Sequence, residues 1–493
     1  MISVKQIEIR LFNMQTRLPF RYGISTLLAC PHLFLRLTVD VDGVVTTGTA
    51  ADHLPPKWFT KDPSTPFEQD VRDMLDVIRH AADHAVLAGP ADSAYALASR
   101  VHQQQEVWGT EKKYPPLLRQ FGVSLVERAL IEAVCKAKRV TFHQAVRENL
   151  LGLRFSGHPD ERLMLDYRTL GDSQPRNWLP AQPLTHILAR HTVGMVDYLT
   201  DADIPAADRV DDGLPQSLES AVRYYGLTRL KIKVAGDISK DRDRLTRLFA
   251  IARRHCPPDW AYTLDCNENF KAVGPLRELW ARLAEDANVR PVLDRLIFIE
   301  QPFHRDVALS PDLGRELRAW ADRPPIIIDE SDGYPGALTD ALAAGYAGTS
   351  HKNCKGVFKG IANACLIAKL KQDHPDKPFR LSGEDLVNVG PVALQQDLAA
   401  CAALGIADVE RNGHHYFRGL SMHPPSVQAD VLRTQPDLYR PHPTGRYPTL
   451  DIQRGRLNVA SINAAPFGVP FDLDLAHYTP LSEWKFEGME LRG

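Results

Sequence analysis

Three short stretches decide the fold: LDCNENF (264–270), LIFIEQP (296–302) and IIIDES (326–331). Each is an apolar or β-prone run that stops at a carboxylate: Asp265, Glu300 and Asp329. The carboxylates stand 35 and 29 residues apart. That spacing suits one strand–loop–helix–loop repeat, the crossover that parallel strands require. Successive parallel strands put their C-terminal ends on one face, so the three carboxylates are expected to converge there. A single acidic residue after a strand is more often a helix N-cap or loop residue; three in register fit that reading poorly. Three hard oxygen donors on rigid strand ends suit an octahedral cation such as Mg²⁺.

Lysines bracket this trio. Lys231 and Lys233 stand in RLKIKV (229–234), and Lys352 in SHKNCKG (350–356) lies 23 residues beyond Asp329. Side chains two apart share one face of a strand, so Lys231 and Lys233 are expected to point into the same interior. A buried lysine is costly unless paired, which makes a plain surface role a poor fit.

Outward from this centre the pattern alternates strand and helix. Strands are expected at 229–234, 261–266, 295–300, 325–329, 347–352, 378–382 and 406–410. Helices are expected at 216–226, 240–255, 275–286, 311–321, 335–344, 357–372 and 391–404. This predicts a parallel α/β barrel with helices outside. LMLDYRTLG (163–171) and GMVDYLTDADI (194–204) both read as strands, and the sequence leaves open which of them opens the barrel. Before the barrel, residues 3–10 and 32–40 alternate like strands, with a hairpin turn at Val41-Asp42-Gly43. FRYGIST (20–26) and GTAADHLPPKW (48–58) read as loops, and 67–88 and 123–138 as amphipathic helices. Together they make an α+β unit. Residues 421–448 read as a Pro-rich surface excursion or ordered loop, and 450–461 as a hairpin around Arg454-Gly455.

The 493 residues suit two domains better than three, since one barrel can span about 250. Hydrophobic residues make up 44% and charged residues 24%, with a formal net charge of −2, so nothing points to nucleic acid or an anionic membrane. No run of about 18 apolar residues suggests a membrane span, and the N-terminus lacks a signal-peptide pattern. Seven scattered cysteines without C-x-x-C pairs fit reduced thiols in a cytoplasm.

KIKV, LDCNENF, IEQP, DES and SHKNCKG, in this order, resemble the enolase superfamily, in its muconate-lactonizing enzyme/mandelate racemase branch. The helix ALIEAVCKA (129–137) resembles that family's helix between cap and barrel, and RGRLNVASINAAPFGVPFDLD (454–474) its returning terminal segment. The resemblance covers most of the chain. It implies a modified TIM barrel, an α/β barrel at 160–420, with an α+β capping domain built from residues 1–145 and a C-terminal segment, 421–493, that returns to it. It implies Asp265, Glu300 and Asp329 as ligands of Mg²⁺, with Mn²⁺ as an alternative, and Glu330 beside the metal. It further implies Lys233 as the base on one face of the substrate, Lys231 beside it, and Lys352 as acid or base on the other face. That is the lysine–lysine type. His351 reads as structural, because on a strand it points away from Lys352. Glu384 in RLSGEDL, and Asp408 and Glu410 in IADVERNG, sit where the family places substrate contacts or proton-relay support. FRYGIST resembles the family's mobile cap loop. The chain departs from the family in added segments near 50–66, 171–210 and 421–448, and in lacking paired glycines after Lys352.

The implied activity is abstraction of a proton α to a carboxylate through an enediolate. Metal binding stabilises the developing charge, and the lysine must be neutral to accept a proton. Lysines on both faces favour a racemase or epimerase. A dehydratase of acid sugars or hydroxy acids, or a cycloisomerase, would use the same enediolate. A non-catalytic binding protein is the remaining reading. The expected partner is a small carboxylate, with homo-oligomer assembly common among such barrels.

Overall fold

A computed structural model describes residues 1–156, 167–443, 445 and 447–486. The N-terminal region is a long antiparallel sheet of β1 (Ile2–Tyr22), β2 (Ser25–Val41) and β3 (Val44–His53). Its strands run well past the alternating stretches at 3–10 and 32–40. FRYGIST is not a free loop but the tip of the β1–β2 hairpin: Phe20 faces Leu27 and Tyr22 faces Ser25 across a turn at Gly23. Asp42 and Gly43 both have positive φ, the conformation that a tight two-residue hairpin turn requires.

Residues 48–58 are not all loop. Gly48–His53 belongs to β3 and pairs with β2 from Leu37↔Gly48 to His32↔His53. Its Gly and Ala residues carry little β-propensity, which is why it reads as loop. They are small because a helix lies directly on them. A Cβ at Gly48 would come 1.8 Å from the Ala129 carbonyl oxygen. That helix is α3 (Pro116–Lys138), packed with α1 (Phe67–Leu87) and α2 (Ala94–Glu111) against the sheet. The apolar periodicity at 123–138 belongs to α3, which begins a further two turns upstream at a proline, and α2 went unpredicted.

Eight parallel strands then close into a barrel: β4 (His186–Val193), β5 (Arg229–Lys233), β6 (Ala261–Asp265), β7 (Leu296–Glu300), β8 (Ile326–Ile328), β9 (Gly348–His351), β10 (Arg380–Gly383) and β11 (Asp408–Arg411). Pairing of β11 with β4 closes the ring. Seven of these strands lie where the alternation placed them, and helices connect them around the outside. The first strand is neither segment expected. Residues 194–204 form turns after β4, and 168–170 form a 3-10 turn; residues 163–166 fall outside the described residues. The sequence of β4, HILARHTV, breaks the apolar run because its inward side chains, Arg190 and Thr192, serve polar contacts.

Residues 421–448 carry regular structure. They hold a helix, Pro425–Thr434, and a short antiparallel pair, 439–441 with 448–450. The turn at Arg454-Gly455 is present and folds the chain back, with an antiparallel bridge between Gln453 and Arg456, and 456–458 then pairs antiparallel with β4. Thr479–Pro480 pairs with β1, which ties the end of the described chain to the N-terminal sheet. Among the described residues, no helix is long and apolar enough to cross a membrane.

Two buried charges on α3 join the layers. Glu127 accepts hydrogen bonds from the backbone N–H groups of Val357 (2.7 Å) and Phe358 (3.2 Å), at the start of the helix Val357–Asp373. A carboxylate there complements the helix dipole. Arg128 donates to the Ala51 carbonyl and to Asp52 Oδ2, both at 2.8 Å, and neither Arg128 nor Asp52 is exposed. Arg128→Leu would leave Asp52 buried without its partner. It should lower unfolding free energy by about 3–5 kcal/mol in urea denaturation, with part of the loss recovered in Arg128→Leu/Asp52→Asn. A loss below about 1 kcal/mol, the range of an exposed pair, would show that the pair does not tie the sheet to the helix.

Candidate active site

The C-terminal ends of the barrel strands gather a dense group of buried charges. Lys231 and Lys233 alternate on β5 with Ile232 between them, and both are buried. Lys231 Nζ lies 2.6 Å from Glu384 Oε2, 2.9 Å from Glu410 Oε2 and 3.1 Å from Asp265 Oδ2. It also lies 2.9 Å from both Glu300 oxygens and donates to Oε1. Burial alone would lower the Lys231 ammonium, but Asp265, Glu300, Glu384 and Glu410 hold it well above the ordinary lysine value.

Lys233 Nζ donates to Asp265 Oδ2 at 2.5 Å. Across the mouth, Lys352 follows β9 and donates to Asp329 Oδ2 at 2.7 Å, with Glu384 Oε2 at 3.8 Å. Burial opposes its charge, but Asp329 and Glu384 outweigh it and hold Lys352 well above its usual value. Strands β5 and β9 stand four apart in a ring of eight, so the two amines face each other across the barrel mouth. His351 turns away from it: its Nε2 meets Asn353 Oδ1 at 3.1 Å, and its ring packs where a side chain at Gly360 would stand.

The sequence-derived carboxylates other than Asp408 gather at one centre, but they are not equivalent. Among the described residues, the acidic oxygens within 4.8 Å of one another belong to Glu300, Asp329 and Glu384. Asp265 Oδ2 is turned toward the two β5 lysines. Glu384 is heavily engaged: its Oε1 accepts from Arg190 Nη2 (3.2 Å) and Ser382 Oγ (3.0 Å), and its Oε2 from Lys231. Burial raises the Glu384 carboxyl, but Lys231 and its other partners bring it down to about 2. Glu410 accepts from Thr192 at 2.6 Å as well as from Lys231. Asp408 lies apart: it begins β11, its side chain is 28% exposed, and it pairs with Arg190.

The donor set suits a hard divalent cation. It is all oxygen and buried; Glu330 Oε2 accepts no hydrogen bond, and Glu300 Oε2 faces the Lys231 ammonium at 2.9 Å without hydrogen-bond geometry. Burial, with Asp329 and Glu268 nearby, raises the Glu330 carboxyl to about 8. Burial and the neighbouring Asp265 and Glu384 likewise raise Glu300 well above its ordinary value. Carboxyls pushed up by their own crowding are those a cation would stabilise in charged form.

Several contributors had no clear sequence signal. Arg190 sits on the unassigned strand β4. Lys355 supports Asp329 from beneath, donating to Oδ1 (3.1 Å) and to Ser350 Oγ (2.8 Å). Its position three residues after Lys352, with Lys359 four further on, is helical spacing that could have flagged it. Trp58 lies under Lys352, with Nζ 4.5 Å from its ring centre. Its loop is pinned by Arg305, which donates to the Trp58 and Phe59 carbonyls (3.0 and 2.8 Å) while paired with Glu268. Lys61 adds a bond to the Asn267 carbonyl at 2.7 Å. The β1–β2 hairpin is anchored by Arg17, whose guanidinium grips Asp212 at 2.6 and 2.9 Å. A narrow cavity remains between cap and barrel, lined by Lys231, Lys233, Asp265, Asp329, Glu330 and Lys352 on one side and by Phe20, Tyr22, Pro55 and Trp58 on the other.

No sequence-family model and no curated protein sequence matches the chain. Solved structures do. The muconate lactonizing enzyme from Pseudomonas fluorescens, complexed with muconolactone, superposes with a TM-score of 0.57 at 13% identity, covering 96% of this chain and 98% of that one. The N-succinyl Arg/Lys racemase from Bacillus cereus ATCC 14579 gives 0.54 at 13% identity, covering 94% and 98%. The dipeptide epimerase from Enterococcus faecalis V583, complexed with Mg and the dipeptide L-Leu-L-Tyr, gives 0.54 at 14% identity, covering 94% and 99%. Nearly the whole chain is therefore similar in fold to these enzymes: a TIM-like barrel with a capping domain.

Proposed function

We propose that this chain is an enzyme of the enolase superfamily that removes the proton α to the carboxylate of a small acid and returns it on the opposite face, as a racemase or epimerase. The observation that carries this reading is the placement of Lys233 and Lys352, two amines on opposite strands of one ring, lining one cavity with carboxylates between them. A substrate held between them presents one face to each. One amine takes the proton at its Nζ, and the other delivers a proton from its own. Dehydration or cycloisomerisation would start with the same removal but needs a proton donor only at the departing or closing group.

Asp265, Glu300 and Asp329 are the proposed ligands of a Mg²⁺ ion, drawn from consecutive strands, with Glu330 beside them. Glu384 is placed in support, because Arg190, Ser382 and Lys231 already engage its oxygens. A bound divalent cation would stabilise the negative charge gathering on the substrate carboxylate as the proton leaves. Lys231 keeps the acidic cluster compact. Glu410 holds Lys231, and Thr192 fixes Glu410. Pro55, Trp58 and the hairpin tip exclude water from the reacting face.

Two measurements test this. In D₂O, proton NMR should show that Lys233→Ala and Lys352→Ala each lower racemisation by about 10²–10⁴-fold, while each variant still exchanges the α-hydrogen of one enantiomer. Loss of exchange for both enantiomers in either variant would contradict a two-base mechanism. Calorimetric titration of Mg²⁺ should show affinity reduced about tenfold or more, or about 1.4 kcal/mol, in Glu300→Gln and Asp265→Asn, with a smaller loss in Glu384→Gln. Unchanged affinity in Glu300→Gln would remove it from the ligand set. A larger loss in Glu384→Gln than in Asp265→Asn would replace Asp265 by Glu384.

A further inference from the structure

Asp329 lines the cavity below the cap and is backed from the other side by Lys355. That ammonium donates to Asp329 Oδ1 at 3.1 Å and to Ser350 Oγ at 2.8 Å, and it does not stand alone. Its Nζ lies 3.4 Å from Oδ2 of Asp332, a buried carboxylate three residues after Asp329. Thr349 on β9 donates to the same Oδ2 at 2.9 Å. Lys359, also buried, donates to Asp332 Oδ1 at 2.9 Å and to the Asp332 carbonyl at 2.6 Å. Together they form one line of alternating charge: Asp329, Lys355, Asp332, Lys359. The last three line a second narrow cavity, between the loop after β8 and helices α2 and α3, which shares no lining residue with the first. Lys359 stands near the start of the helix Val357–Asp373, whose first N–H groups bond Glu127 of α3. A buried ion pair is a poor device for stability alone, because well-packed apolar residues often serve as well or better.

We infer that Asp332 is a positioning residue for Asp329. By sharing Lys355, it sets how much of the Asp329 charge stays free for a divalent cation, and Lys359 sets how much of Asp332 is free for Lys355. The inference rests on the reading of Asp329 as a metal ligand. Asp329 belongs both to the set with Asp265 and Glu300 and to the closest oxygen cluster, with Glu300 and Glu384. An ammonium shared between two carboxylates holds each less firmly than one it faces alone. With Asp332 made neutral, Lys355 turns wholly to Asp329 and competes with the cation, and the uncompensated ammonium groups repel it. With Lys359 made neutral, Asp332 draws Lys355 toward itself and leaves Asp329 freer. The two changes break the same ion pair yet act on the cation in opposite directions.

The test is calorimetric titration of the full chain with Mg²⁺ alone, in Asp332→Asn, Lys359→Met and the double variant, with folding checked by circular dichroism. Asp332→Asn should weaken Mg²⁺ binding about tenfold, the low end of the range for groups that orient a metal ligand. Lys359→Met should tighten it severalfold. The double variant restores the balance of charge and should fall between the two single variants, near the wild type. Should Asp332→Asn not fold, the other two variants carry the same expectation. Weaker binding in Lys359→Met as well as in Asp332→Asn would reduce the pair to a structural role and overturn the inference. Unchanged affinity in either single variant would overturn it too. Asp329→Asn, titrated alongside, separates this from the underlying reading: if its affinity is unchanged, or if the wild-type chain binds no Mg²⁺, Asp329 is no ligand and both fall together.

Discussion

The site depends on one arrangement of charge: a single buried ammonium, Lys231, facing Asp265, Glu300, Glu384 and Glu410. Carboxylates this close repel one another and lose water on burial, so their convergence must be compensated by opposite charge. Lys231 supplies that compensation from β5, and the neighbouring residues extend it in layers. Lys233 holds Asp265, Lys352 and Lys355 hold Asp329, and Arg190 holds Glu384 from β4. The barrel is what makes this affordable, because short strands with rigid ends fix each side chain without further ordering cost.

The cap shapes the remaining space. It contributes no free charge to the cavity, only rings and a proline, and it is held in place by ion pairs to the barrel's loops. Arg17 fastens the hairpin to the segment after β4, and Arg305 fastens the Trp58 loop to the loop after β6. The charged cluster and the apolar wall of the cavity therefore reside on different layers, joined through α3, whose Glu127 and Arg128 face barrel and sheet in turn. Such a division lets loops vary while the strand ends stay fixed.

Much of this was legible in the sequence, for identifiable reasons. Strand ends bearing Asp265, Glu300 and Asp329 are readable because an apolar run that stops at a carboxylate is a local pattern, repeated at a fixed interval. The pair in KIKV is readable from a period of two. What escaped was written elsewhere in the chain. β4 hides because its inward residues are Arg190 and Thr192, whose partners lie far away on β10 and β11. β3 hides because α3 demands glycine and alanine where a strand would otherwise show branched residues. The contact of Trp58 with Lys352 joins residues nearly three hundred positions apart and has no local signature. Placement of Glu384 beside Glu300 and Asp329 is likewise a property of ring closure, invisible along the chain.

The most direct test of the central arrangement is a crystal structure with Mn²⁺ as an anomalous scatterer and a carboxylate ligand bound. The account predicts one anomalous peak with oxygens of Glu300, Asp329 and Asp265 about 2.0–2.3 Å away, and Lys233 and Lys352 Nζ on opposite sides of the ligand's α-carbon. A peak elsewhere, or a ligand with both amines on the same side, would contradict it.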